Sequence, residues 1–149
     1  MKTLKLALAL YSATYFTSSF AGDYKLAVID DKLTSEAVVS GQYSHALTLG
    51  QSASQNVESA FETSVNQCAA NIQLGNADEA ISLCNTALEL IKNVRVERSK
   101  RREMTAYAYS NRGIAYSLKN EFDAALSDFS TAYGQNKNTI TRANYKLAT

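Results

Sequence analysis

The chain has 149 residues, with 15 basic and 14 acidic side chains, six glycines, no proline and no tryptophan. That length suits one domain with a modest core, or a few repeats stacked in a row. The absence of proline leaves helices uninterrupted, and the near-neutral charge excludes a global electrostatic pull toward nucleic acid or membrane.

At the N-terminus, Lys2 and Lys5 precede a mostly apolar stretch from Leu6 to Phe16, and small residues stand at Ser19 and Ala21. A charged start, a short apolar middle and a small-x-small end make a secretory signal peptide. The run falls short of the roughly 20 apolar residues that span a bilayer. Residues 1–21 are therefore read as a leader, the mature chain as starting near Gly22, and the destination as an exported compartment, the periplasm first and secretion second. Losing Lys2 and Lys5 takes the 15 basic residues to 13 against 14 acidic, and no membrane span is expected in the mature chain. Residues 22–33 form an N-terminal arm in which Tyr24, Leu26, Val28 and Ile29 suit a short strand or an extended segment.

Beyond the arm a period emerges. Gly41, Ala46 and Ala53 recur 34 residues later as Gly75, Ala80 and Ala87. A further copy reads Asn120-Glu121-Phe122-Asp123-Ala124-Ala125, with Ala132 again seven residues after the alanine. A 34-residue period with small residues at these offsets resembles the tetratricopeptide repeat, a helix–turn–helix unit. The resemblance implies an all-α fold, an α-solenoid of about three such repeats across residues 34–139. They fall at about 27–60, 61–94 and 106–139, the first degenerate, with a tail or cap at 140–149. The last copy matches best: Tyr109, Gly113, Tyr116, Phe122, Ala125, Phe129 and Ala132 stand where the family pattern wants packing residues, as do Ala80 and Ala87 in the second copy. Small side chains let antiparallel helices approach, and aromatics fill the space around the contact. Gly41 and Gly75 suit left-handed helix ends, while Asp78 and Asp123 suit the first turn of the next helix.

Cys68 and Cys84 lie in the exported part, where pairing is the default. In this family Cys68 falls where the third repeat has Gly113, and Cys84 where it has Phe129, positions that face each other across the helix pair. The resemblance thus implies a Cys68–Cys84 disulfide, with two free buried thiols as the alternative.

The period then breaks: Ala80 to Ala125 spans 45 residues, 11 more than one repeat. Eleven residues make about three helical turns, so both flanking helices can lengthen without turning their apolar faces. This basic helical extension, 95–105, lies in a stretch from Lys92 to Arg102 with six basic residues against one acidic. It suits either a solvated protrusion, the favoured reading, or a dock for an acidic partner or anionic headgroups. Aromatics are not interleaved with the charges, so nucleic-acid stacking has no support.

Catalytic chemistry has no foothold in the sequence. The single His45 cannot build a histidine-rich metal site, and there is no HExxH, CxxC or glycine-rich phosphate loop. No cofactor is expected. In tetratricopeptide proteins the first helices of successive repeats line a concave peptide groove. Carried over, that groove comprises Val65, Asn66, Ala69 and Ile72 from the second repeat, and Tyr107, Ser110, Asn111, Ile114 and Leu118 from the third. Asn66 and Asn111 are equivalent, and an asparagine amide both donates to and accepts from a peptide backbone. Val65 and Ala69 stand where the family's carboxylate clamp needs polar groups, which points to an uncharged or mixed peptide. The expected role is a non-enzymatic scaffold for a protein or peptide; the alternative is a self-associating structural protein, a homo-oligomer.

Overall fold

The computed structural model describes residues 23–31, 33–52 and 56–149. The leader assigned to residues 1–21 lies outside them. Among the described residues seven helices follow one another: α1 (Ser35–Val39), α2 (Tyr43–Gln51), α3 (Val57–Leu74), α4 (Ala77–Leu90), α5 (Arg98–Leu118), α6 (Phe122–Gln135) and α7 (Thr139–Ala148). No strand occurs among the described residues, and no described helix is long and apolar enough to cross a membrane.

The fold is an all-helical stack. Helix α3 pairs with α4, α5 pairs with α6, and α7 closes the far end against α6 and α5. The hairpin turns share one device. Gly41 (φ 79°), Gly75 (φ 78°) and Asn120 (φ 60°) are all left-handed. In each turn two amides bond back into the finished helix, Gly75 N to Ile72 O and Asn76 N to Asn71 O in the middle hairpin. Glycine enters this conformation without strain, and asparagine is the side chain that tolerates it best after glycine. Asparagine thus keeps the turn in the third copy, where the glycine is missing.

Small residues sit at the crossings as the period requires. Ala80, Ala87, Ala125 and Ala132 are buried. A Cβ on Gly113 would lie 2.8 Å from Phe129 Cε1, so the ring of α6 rests directly on the α5 backbone. Tyr109 and Tyr116 are half-buried against the core and sandwich Arg112, whose guanidinium lies 5.1 and 5.8 Å from their ring centroids. The guanidinium binds buried Asp128 through two bonds of 2.7 and 2.8 Å and reaches Asn85 at 2.6 Å, tying α5 to both α6 and α4. The carboxylate of Asp128, ahead of burial's opposing effect, holds this guanidinium above its ordinary pKa.

Three expectations change. Phe122 is 64% exposed and joins no core cluster, because it opens α6 just beyond the α5–α6 contact instead of packing inside it. Residues 25–31 of the arm are extended, and the first described helix begins at Ser35. The 11 extra residues do not lengthen both flanking helices. Helix α4 stops at Leu90, Val94–Glu97 is irregular, and α5 alone is prolonged to 21 residues. Part of the basic stretch is structural rather than free: Arg101 donates to the carbonyls of Ile91 at 2.7 Å and Val94 at 2.6 Å, just past α4, and Arg102 donates to Gly134 O in the last turn of α6. Cations suit these helix ends. Residues 140–149, expected as a tail or cap, nearly all belong to α7.

Candidate functional site

Helices α3, α5 and α7 present one continuous face, and the chain's own arm lies along it. The arm is extended, and its backbone is gripped at alternate residues by one asparagine from each helix. Asn66 of α3 accepts from Ile29 N at 2.8 Å and donates to Ile29 O at 2.8 Å. Asn111 of α5 accepts from Ala27 N at 2.9 Å and donates to Ala27 O at 2.8 Å. Asn144 of α7 accepts from Lys25 N at 2.7 Å and donates to Lys25 O at 2.8 Å.

This geometry has a simple origin. An extended chain presents N–H and C=O of every second residue toward the same edge, and a side-chain amide carries one acceptor and a donor pair to match. Three amides at repeat intervals along a helical stack therefore act as the missing neighbour of a strand. All three asparagines are buried. Asn66 and Asn144 engage their second amide hydrogens as well, with Thr34 Oγ1 at 3.0 Å and Ser110 Oγ at 2.9 Å. Buried polar groups of this kind are costly unless satisfied, and here they are.

Side chains of the arm complete the core. Ala27 is fully buried, and Ile29 enters the cluster of Phe61, Val65, Met104 and Ala108. Tyr24 stacks on Phe129, centroids 4.9 Å apart, and Leu26 and Val28 pack beside Ala69 and Ala70. Lys25 and Asp30 face solvent. The root of the arm is pinned at Asp31: its Oδ1 accepts from Thr34 N at 2.6 Å and Ser35 N at 2.8 Å, and its Oδ2 from Thr34 Oγ1 at 2.6 Å. Burial raises the pKa of this carboxyl, but the hydrogen bonds from Thr34, Ser35 and Leu33 outweigh it and hold the group below the ordinary carboxylate range.

The residues assigned to a groove are thus brought together, but beneath a segment of the same chain. Val65, Asn66, Ala69, Ile72, Ser110, Asn111 and Ile114 are all buried under or beside the arm. Leu118 packs at the edge of the second cluster. Tyr107 lies at the other end, donating to Glu103 Oε1 at 3.0 Å, and its hydroxyl is pushed up to about 12 by burial and then by that carboxylate. Asn144 completes the grip from the segment expected as a tail or cap. Its signal was its distance of 33 residues from Asn111, one short of the period. Cys68 and Cys84 are joined across α3 and α4, with Cα atoms 5.6 Å apart. His45 is exposed on α2, and no group of three His, Cys, Asp or Glu side chains converges among the described residues.

The family profile of the tetratricopeptide repeat matches residues 59–136. A Dictyostelium discoideum protein named "Protein STIP1 homolog" is 33% identical over 81 residues, which are 54% of this chain and 14% of that protein. The chain thus spans about one-seventh of that relative's length. No solved structure matches. With the profile covering more than half of the chain and the helical stack bearing the packing that the repeat demands, this chain belongs to the tetratricopeptide repeat family.

Proposed function

We propose that this protein is a non-enzymatic adaptor of an exported compartment, the periplasm before the extracellular space, that binds a protein partner as an extended segment along α3, α5 and α7. A scaffold for protein–protein interaction is what the family supports. The observation that carries the finer reading is the triple grip of Asn66, Asn111 and Asn144 on the backbone of Ile29, Ala27 and Lys25. These bonds use only main-chain atoms, so a groove built this way accepts extended peptide as a class. The apolar floor of Val65, Ile72 and Ile114 favours uncharged side chains. The leader pattern and the Cys68–Cys84 pair support export. Crosslinking and capture with the mature chain, wild type beside Asn111→Ala, tests the proposal. A partner lost in the variant supports the groove, and equal capture by both refutes it.

Self-association is the second reading, favoured by one fact: the segment seen in the groove belongs to this chain. Light scattering at high concentration decides it, since a monomer removes it.

A further inference from the structure

We infer that residues 24–29 are a displaceable built-in occupant, which yields the groove to an incoming segment of a partner that shares the arm's own chemistry. The inference rests on the groove reading above and adds to it what opens the site and what kind of segment enters.

Three observations carry it. First, the groove cannot stand empty at low cost. Without the arm the buried surface of Val65, Ala69, Ile72 and Ile114 would meet water, and a contiguous apolar patch of that kind invites association. An occupant is always required, so partner binding has to be an exchange. Second, the six hydrogen bonds that hold the arm are to backbone atoms of Lys25, Ala27 and Ile29. A second extended segment makes the same six bonds, which removes most of the energetic penalty of replacement. Third, the anchor of the arm is separate from its grip. The Asp31 carboxylate is tied to Thr34 and Ser35 immediately downstream, and Asn66 also reaches Thr34 Oγ1. Residues 24–29 can therefore peel away while the root stays fixed.

The imprint of the arm specifies the incoming segment. It needs a small side chain where Ala27 is fully buried, an aliphatic one two places on where Ile29 enters the core, and an aromatic one three places before, where Tyr24 stacks on Phe129. Polar side chains are admissible at the Lys25 and Asp30 places, which face solvent. A partner thus carries an aromatic-x-x-small-x-aliphatic stretch in extended form. Because the arm is tethered, it competes at a high effective concentration. A groove free about 1% of the time binds about 100-fold more weakly than a vacant one.

A fluorescent peptide of residues 23–31, titrated into the full mature chain, tests this. Ala27→Glu places a charge at a position without solvent exposure and evicts the arm in cis. The expected result is at least about ten-fold tighter peptide uptake by Ala27→Glu than by wild type, abolished when Asn111→Ala is added. Equal uptake by the two, or none by a folded Ala27→Glu, overturns the inference, as does a concentration-dependent dimer without peptide uptake, which assigns the groove to a second copy. Hydrogen exchange on the wild type covers the case in which Ala27→Glu fails to fold. Amides of Lys25, Ala27 and Ile29 should exchange at least about ten-fold faster than core amides of α5, through an opening insensitive to denaturant. Exchange only with global unfolding makes the arm an integral strap and ends the inference. The two readings fail separately: capture that depends on Asn111 in a chain whose arm opens only on unfolding leaves the scaffold standing without the exchange.

Discussion

Replacing Asn111 with alanine isolates the central grip. Its amide is fully buried and bonded twice to Ala27, itself without solvent exposure. The variant strands one buried N–H and one buried C=O. Each orphaned group costs about 1–3 kcal/mol, so the sum is about 2–6 kcal/mol, reduced if a water enters the space left by the amide. At the outer grip the partner residue, Lys25, is exposed, and water can replace the lost bonds. Asn144→Ala should therefore cost about 1–2 kcal/mol. Urea denaturation followed by circular dichroism measures both. A double-mutant cycle with Ala27→Glu then attributes the cost: with the arm evicted, Asn111 meets water and its removal should be close to neutral, leaving a coupling of about 2 kcal/mol or more. A penalty for Asn111→Ala below about 0.5 kcal/mol, or one unchanged by eviction of the arm, refutes the account of the grip.

Gly113→Ala should be destabilising by about 1 kcal/mol, because a 2.8 Å approach to Phe129 in a filled core costs about 1–3 kcal/mol while the helix gains up to about 1 kcal/mol; a raised melting temperature contradicts this. Reduction of the Cys68–Cys84 bond, which spans 16 residues, should lower the melting temperature by roughly 6–12 °C, from about 3 kcal/mol of chain entropy. Thiol titration of the denatured, unreduced mature chain should find none, and two thiols would end the pairing. Asp31 has a depressed folded pKa, so its contribution is full above its unfolded value and fades as pH falls through the lower folded one. Acid melts should accordingly be flatter below about pH 4 in Asp31→Asn. Glu62 is raised, first by burial and then by Glu58 and Asp31, so its contribution is lost as pH rises through the folded pKa. Glu62→Gln should thus be stabilising at pH 7 with the gain vanishing in acid; a gain that persists at low pH contradicts the sign.

Much of this architecture is legible locally. The Gly41, Gly75 and Asn120 turns, the alanines at each crossing and the reach from Gly113 to Phe129 follow from a period that any stack of helical hairpins imposes on its sequence. Asn66 and Asn111 were legible too, as equivalent positions on the inner face. Phe122 misled, because an aromatic at a family position counts as core only if a neighbour covers it, and none does here.

The sequence by itself determined the helical pairs, their small-residue contacts and the cysteine positions, since each depends on residues within one or two repeats. Only the tertiary structure decided what fills the groove. The bonds from Asn111 to Ala27 and from Asn144 to Lys25 join residues 84 and 119 positions apart, and they hold backbone atoms, which leave no trace in side-chain identity. A segment of Tyr, Leu, Val and Ile reads as arm or strand until three distant amides supply the edge that it lacks.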